Sequence, residues 1–162
     1  MGIERDRPYS QFNFRISWQP ATGSEGEALS EDHIRAGFQE ISGLGMEITV
    51  AEYRAGNALT NEPIKLTGTA KTPDVTLKRG VIGHNDLYGW LHEVRNGSQT
   101  QLKNVTIKLM AEDRETVAQE WKLINARPMK YTGPSLNGKG TDLAIEELVL
   151  ASERIEFIGL AA

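Results

Sequence analysis

The stretch DVTLKRGVIGHNDLYGWLHEVRNG, residues 74–97, decides the fold because its hydrophobic pattern changes from that of a strand to that of a helix. Val75 and Leu77 alternate with polar neighbours, which is typical of a short strand. Beyond the glycine-bounded break at 80–83, apolar residues recur at i, i+3, i+4 and i+7. This spacing predicts one amphipathic helix, Asp86–Arg95, whose apolar stripe comprises Leu87, Trp90, Leu91 and Val94. The rest of the chain is expected to pack around this helix as sheet.

Alternation of period two recurs on both sides of this stretch and predicts further strands. The predicted strands cover residues 12–18, 46–50, 64–70, 105–109 and 117–126. Residues 142–158 suit a helix by propensity and a strand by alternation. Two strands around 152–154 are favoured, because the other predicted strands need partners. Pro128 limits the strand at 117–126 to a sheet edge or makes it bend.

Residues 46–70 predict a long hairpin. Met46, Ile48 and Val50 alternate with polar or small residues, Gly56-Asn57 is a turn signal, and Leu66 lies on the return strand. The tip, residues 54–62, is polar and is expected to face solvent in an isolated subunit. An isolated two-stranded hairpin is marginally stable in water, so its apolar residues predict cover from another copy of the chain.

Composition excludes several functional classes. The chain has 162 residues and a net charge of −4, which fits one domain over 1–162 and argues against nucleic-acid recognition. It has no cysteine, so disulfides and thiolate chemistry are excluded. No apolar run is long enough to cross a membrane, so no membrane insertion is expected. Within the domain, residues 1–8 are expected to form a charged arm and 159–162 a short tail.

A near match to a phosphate-binding loop occurs in GPSLNGKGT, residues 133–141. Gly140 stands where that loop needs a Ser or Thr hydroxyl for the metal, and Pro134 removes a backbone donor. A plain surface loop is therefore favoured over nucleotide binding at these residues, and a nucleotide-dependent enzyme is the alternative that the near match leaves open.

No other catalytic, cofactor or metal site is predicted. His33, His84 and His92 lack the spacing of metal ligands, and surface or packing roles are favoured for them. Glu146 and Glu147 are adjacent on a predicted strand and therefore point to opposite faces. The tryptophans are best explained as core residues; they are Trp18, Trp90 and Trp121. Nothing in these residues indicates an enzyme, and the apolar hairpin favours a self-assembling structural protein over a ligand-binding module.

Seven ordered segments resemble one family. They are FNFRI near the N-terminus, FQEISGLGMEI (38–48), AEYRAGN (51–57), VTLKRG (75–80), DLYGWL (86–91), NVTIKL (104–109) and NARPMKYTGP (125–134). In this order and spacing they are similar to the inner tail tube proteins of contractile phages and phage-tail-like injection systems. The resemblance covers about residues 8–158.

The resemblance implies a mainly β fold of two packed antiparallel sheets forming a small barrel, with a long protruding hairpin and one flanking helix. This fold is shared with the tube protein of type VI secretion. The resemblance further implies hexameric rings that stack into a hollow inner tube, which a sheath drives through a target envelope. The alternative is a baseplate or adaptor protein of the same fold, present as a single ring.

Residue roles implied by the resemblance are structural. The expected ring-stacking residues of the hairpin are Tyr53, Arg54, Asn57 and Glu62. Lumen or inter-subunit strands are expected to contain Met46, Glu47, Ile48, Thr49, Val50 and Leu66. The implied partners are other copies of the chain, a contractile sheath, baseplate and cap proteins, and cargo in the lumen. Assembly is expected in the cytoplasm, as part of a virion or a phage-tail-like particle such as a tailocin.

Overall fold

The computed structural model describes residues 6–21 and 37–159, in which nine strands and one helix are found. In chain order they are β1 (Phe14–Pro20), β2 (Phe38–Ser42), β3 (Glu47–Tyr53), β4 (Ile64–Lys71), β5 (Val75–Gly80), α1 (Asp86–Arg95), β6 (Lys103–Met110), β7 (Val117–Thr132), β8 (Ile145–Ala151) and β9 (Arg154–Ile158). The helix has the predicted bounds, and the C-terminal region forms two strands, as favoured. His33, most of the expected charged arm and all but the first residue of the expected tail lie outside the described residues.

Seven strands pair in the order β1-β6-β7-β8-β5-β2, with β9 also on β7, while β3 and β4 form a separate two-stranded sheet. All of these pairings are antiparallel. β7 is 16 residues long and serves two groups of strands. Its first part pairs with β6 and β9, and its last part, which contains Pro128, pairs with β8 alone among the described strands.

A corner in β7 joins these two groups. Asn125 has a φ of 52°, a left-handed conformation that asparagine tolerates better than most residues. Its backbone N–H donates to Oδ1 of Asn104 at 3.1 Å, and its side-chain amide donates to Oε2 of Glu153 at 2.8 Å. Opposite the corner, β8 ends at Ala151 and β9 begins at Arg154. The chain therefore bends at the same level in β7 and between β8 and β9, and this bend turns the sheet around the core.

β1 and β2, the two ends of the six-strand order, meet through side chains. Trp18 of β1 and Phe38 of β2 make an edge-to-face contact with ring centroids 6.4 Å apart. Buried side chains from both groups of strands form one core cluster, which includes Val75, Leu77 and Leu123. Among the described residues no backbone pairing joins β1 to β2, so the strands do not close into a barrel. The predicted mainly β fold with antiparallel sheets and one helix is confirmed.

The helix packs on this core through its apolar stripe. Leu87 and Trp90 are buried, whereas Leu91 and Val94 are half-buried. The Trp90 indole N–H donates to the Gln101 carbonyl at 2.8 Å, and its ring lies 5.8 Å from that of Trp18. Each polar and apolar part of Trp90 therefore has a partner, which anchors α1 to the sheet.

Two local features depart from or refine the sequence pattern. Phe12 was expected in the first strand, but β1 begins at Phe14 and the Phe12 side chain is 68% exposed, so that prediction is wrong. Gly43 has a φ of 88°, and a Cβ there would lie 2.1 Å from the Asp74 carbonyl oxygen. Glycine is therefore required where β2 ends against the start of β5.

Candidate assembly surface

The hairpin of β3 and β4 is the most exposed ordered part of the described chain. Every residue of both strands is exposed, although the sequence supplies apolar side chains on both. Ile48 and Val50 are each 51% exposed, and Leu66 is 55% exposed. Exposed apolar side chains this close together indicate an interaction surface, because monomeric proteins rarely expose a large contiguous apolar patch.

Both faces of the hairpin carry apolar side chains. Tyr53 pairs with Ile64 and Ala51 with Leu66, so these side chains share one face. Ile48 and Val50, on alternate positions of β3, lie on the other. Both faces therefore present apolar groups. A partner packed on one face alone would leave the apolar side chains of the other face exposed to water.

A bulge gives the hairpin its local shape. The pairing shifts between Ile48 and Val50, where β4 contributes one extra residue. Gly68 lies in this bulge, and a Cβ on it would stand 2.8 Å from the Thr49 carbonyl oxygen. The close backbone approach explains why the strand carries a glycine here.

The tip loop, residues 54–63, is held by Arg54. Its guanidinium donates from Nε to the Thr60 carbonyl at 3.1 Å and from a terminal nitrogen to the Ala58 carbonyl at 3.3 Å. These two carbonyls flank Leu59, whose side chain is fully exposed at 103%. Arg54 was expected to contact the next ring, yet its described contacts are within the loop. Asn57 and Glu62 are exposed.

Leu59 was not singled out from the sequence. The available signal was one large apolar residue in an otherwise polar tip, a pattern that is common on protein surfaces and carries little weight alone. Its complete exposure on a braced loop makes it prominent in the structure.

A groove lies where the hairpin leaves the body of the protein. This base groove has a volume of about 590 Å³ and is bounded by Met46, Ala70 and Thr72 on one side and residues 153–158 on the other. Phe157 and Ile158, each 39% exposed, supply apolar area to it. The second wall is β9, which pairs with β7 on one side only among the described strands. A free strand edge of this kind is a template for contact with another chain.

A buried ionic cluster joins the sheet to the start of the helix. Arg79 of β5 is 3% exposed and donates to Oε1 of Glu146 at 2.6 Å and to both carboxylate oxygens of Asp86, one of them at 2.9 Å. The Tyr131 hydroxyl donates to the other oxygen of Glu146 at 2.8 Å. The cluster ties β5, β7 and β8 to the first residue of α1.

The ionisation of this cluster follows from its contacts. Burial disfavours the charged guanidinium, but hydrogen bonds to Asp86 and Glu146 more than compensate and raise the pKa of Arg79. Burial likewise opposes ionisation of Asp86, yet hydrogen bonds and the charge of Arg79 hold the pKa of that carboxyl below its usual value. Burial, with the hydrogen bond to Glu146, raises the pKa of Tyr131. The cluster is a structural ion network, and sequence reasoning missed it because Arg79 was counted only as a strand residue.

The positions considered for chemistry do not converge. His92 contacts Arg95 and Asn96 on its own helix, and no group of three potential metal ligands occurs within the described ranges. Glu146 is buried in the ionic cluster, while Glu147 is only half-buried. The glycine-rich residues 133–141 form an exposed connection between β7 and β8. No helix in the described residues is long and apolar enough to span a membrane.

Comparisons with known proteins agree with a structural role. The family model of the T4-like virus tail tube protein gp19 matches residues 10–156. The chain is similar to one from the sheath-tube complex of an extracellular contractile injection system (PVC) in the extended state, with 24% identity, a TM-score of 0.76, and coverage of 96% of this chain and 94% of that chain. A chain of the 6-fold symmetrised anti-feeding prophage baseplate matches at 22% identity and a TM-score of 0.79, over 98% of this chain and 100% of that chain.

A more distant fold match is to a type six secretion system protein, at 11% identity and a TM-score of 0.50, covering 89% of this chain and 82% of that chain. At these identities the structural matches show a shared fold. A comparison with curated proteins finds no match.

Proposed function

Because this chain belongs to the T4-like virus tail tube protein gp19 family and is a structural tail tube protein, not an enzyme, we propose that its copies close into hexameric rings. These rings stack into the hollow inner tube of a contractile injection machine. Contraction of a surrounding sheath drives the tube through a target envelope and delivers its contents.

One observation carries this proposal: the hairpin of β3 and β4 is ordered, apolar on both faces and exposed at every position. A two-stranded ribbon does not bury enough apolar area to be stable alone, so contacts with other copies must supply the missing burial. A ring satisfies this need because each hairpin has a neighbour on either side.

In the ring, the hairpins join into one continuous barrel that lines the lumen. The residues assigned to the lumen or to inter-subunit strands are Met46, Glu47, Ile48, Thr49, Val50 and Leu66. The edges of the hairpin strands are exposed in a single subunit, where they would promote aggregation. Closure of the barrel pairs each of these edges with a neighbouring subunit and leaves no free strand edge along the lumen. Within each subunit, the small barrel is proposed as a sheet rolled on itself, whose ends are held by the side-chain contact of Trp18 with Phe38 and not by backbone pairing between described strands.

The stacking contacts are assigned to the hairpin end, at Tyr53, Arg54, Asn57 and Glu62. Tyr53 is the last residue of β3, and Glu62 lies in the tip loop. Arg54 holds the conformation of this loop through its hydrogen bonds to two loop carbonyls. Sheath, baseplate and cap proteins are the remaining partners, with cargo in the lumen. Assembly takes place in the cytoplasm.

The second candidate is a baseplate or adaptor protein of the same fold, present as one ring. It is supported by the match to a chain of a baseplate structure. The two candidates differ in copy number, because a tube subunit fills many stacked rings and an adaptor fills one ring per particle.

Electron microscopy of the purified chain, with light scattering, tests the proposal. Uniform rings or stacked tubes are the expected result. Quantitative mass spectrometry of intact particles then measures the ratio of this chain to the sheath protein. A ratio equivalent to one ring per particle would contradict the tube assignment and favour the adaptor.

A further inference from the structure

We propose that the tip loop of one copy seats in the base groove of a second copy, with the Leu59 side chain buried in the groove. The inference rests on the proposed function and deepens it by naming the two surfaces that meet when rings stack. Both surfaces are present, preformed and uncovered in the single chain.

The tip loop is prepared for this contact. Arg54 holds the carbonyls of Ala58 and Thr60, on either side of Leu59, and the Ala58 N–H donates to the Ala55 carbonyl at 3.1 Å. A loop already fixed in one conformation loses little entropy when it binds. Leu59 itself is fully exposed and gains from any apolar environment.

The base groove offers that environment. Met46 is 65% exposed, and Phe157 and Ile158 add apolar area from the opposite wall. A volume of about 590 Å³ accommodates a leucine side chain together with part of the turn that carries it. The groove and the tip are therefore complementary in hydrophobicity and in size.

Charges at the two surfaces are also compatible. Arg154, at the rim of the groove, has a side chain that is 71% exposed and pairs with Glu156 at 3.2 Å. Glu62 on the tip is exposed and of opposite charge to Arg154. Glu153 and Glu156 also line the groove. Arg154 is therefore the one described lining residue that can attract Glu62 of a seated tip. An ion pair of this kind sets orientation more than affinity.

Position along the hairpin makes the contact intermolecular. β3 has seven residues, so the tip and the groove are separated by about 23 Å along the ribbon. They cannot meet within one chain. A head-to-tail contact between different surfaces closes into a ring or continues as an open assembly, depending on the rotation between the copies. Placed between rings, as proposed, it repeats along the tube axis and builds an open stack.

Engineered disulfides test the contact, since the natural chain has no cysteine and any bridge reports an introduced pair. One chain carries Leu59→Cys and a second carries Thr72→Cys, mixed before assembly and then oxidised. A disulfide needs Cα atoms about 4.4–6.8 Å apart, so efficient bridging requires the seated tip. The matched control replaces Leu143, which is 87% exposed elsewhere on the surface, in place of Leu59.

The expected result is a covalent dimer as the main product with Leu59→Cys and only background with Leu143→Cys. Tubes that form normally without bridging above the control would overturn the inference and leave the proposed function standing. Leu59→Ser provides a second readout: it should leave rings that do not stack, whereas Leu143→Ser should stack like wild type. Normal tubes from Leu59→Ser would also overturn it. A wild-type chain that forms neither rings nor tubes would instead contradict the proposed function.

Discussion

Replacement of Arg79 by Met tests whether the buried ionic cluster secures the helix to the sheet. The substitution keeps most of the side-chain volume but leaves Asp86 and Glu146 facing each other without a cation. Arg79 and Glu146 are both nearly inaccessible to water, at 3% and 4% exposed. Removing one partner of a buried ion network costs about 3–5 kcal/mol, because the remaining charge is neither solvated nor paired.

This cost is a large part of the total stability, which is about 5–15 kcal/mol for a typical domain. Since 1 kcal/mol shifts the melting temperature of a chain of this size by about 2–4 °C, the variant should melt about 6–20 °C below wild type. Urea unfolding followed by tryptophan fluorescence measures the loss. The protein concentration is kept where light scattering shows monomer, so that assembly adds nothing to the measured stability.

The pH dependence gives an independent check. The pKa of Asp86 is lowered in the folded protein, so its contribution is present above about pH 4 and is lost as the pH falls through the lowered pKa. In Arg79→Met, Asp86 has lost the cation that favours its charged form, and proton uptake by this carboxylate relieves buried charge. The difference in unfolding free energy between wild type and variant should therefore shrink as the pH falls from 7 to 4.

Two control variants complete the test. Arg127→Met removes a pair with Glu153 in which both side chains are about half exposed, and it should cost at most about 1 kcal/mol. Combining Arg79→Met with Asp86→Asn and Glu146→Gln should recover much of the loss, because no charge is then left alone. Wild-type stability and pH dependence in Arg79→Met would refute the structural role of the cluster.

Three further predictions concern the core, a turn and alkaline stability. Trp90→Ala should cost about 3–5 kcal/mol in urea unfolding, since it empties the centre of the helix contact; wild-type melting would show that Trp90 is not core. Gly43→Ala should destabilise by about 1–3 kcal/mol because of its positive φ and the close Asp74 carbonyl, whereas Gly45→Ala, with open space around it, should be nearly neutral. The raised pKa of Tyr131 means that its contribution is present below about pH 10 and is lost as the pH rises through the raised pKa. Wild type should therefore lose more stability than Tyr131→Phe between pH 9 and 11, and equal slopes would contradict this reasoning.

Local periodicity predicted most of the elements. The stripe from Leu87 to Val94 predicted α1 with its observed bounds, and alternation predicted the hairpin. The two C-terminal strands were favoured over a helix because the other predicted strands need partners. The resemblance of seven ordered segments to tail tube proteins is confirmed by the family match over residues 10–156. Alternation alone did not predict where strands end: Phe12 fits the alternation but lies outside β1, because no described partner strand reaches it.

Contacts between distant residues came only from the tertiary structure. Arg79 meets a carboxylate 67 positions away, and no pattern in a strand of alternating residues distinguishes that arginine from an exposed one. The corner at Asn125 depends on Asn104, which lies on β6, and on Glu153, which lies in the turn between β8 and β9. The same holds for the base groove, whose walls are the start of the hairpin and the last strand.

The sequence by itself determined the one helix, most of the strand segments and the presence of a long hairpin that carries apolar residues. These properties depend on the period and chemistry of neighbouring residues. Only the tertiary structure decided that Arg54 braces the tip, that Leu59 is its exposed apex, and that β9 lies beside the hairpin base. The physical reason is that strand order and long-range polar contacts are set by the packing of the whole core, which local alternation does not encode.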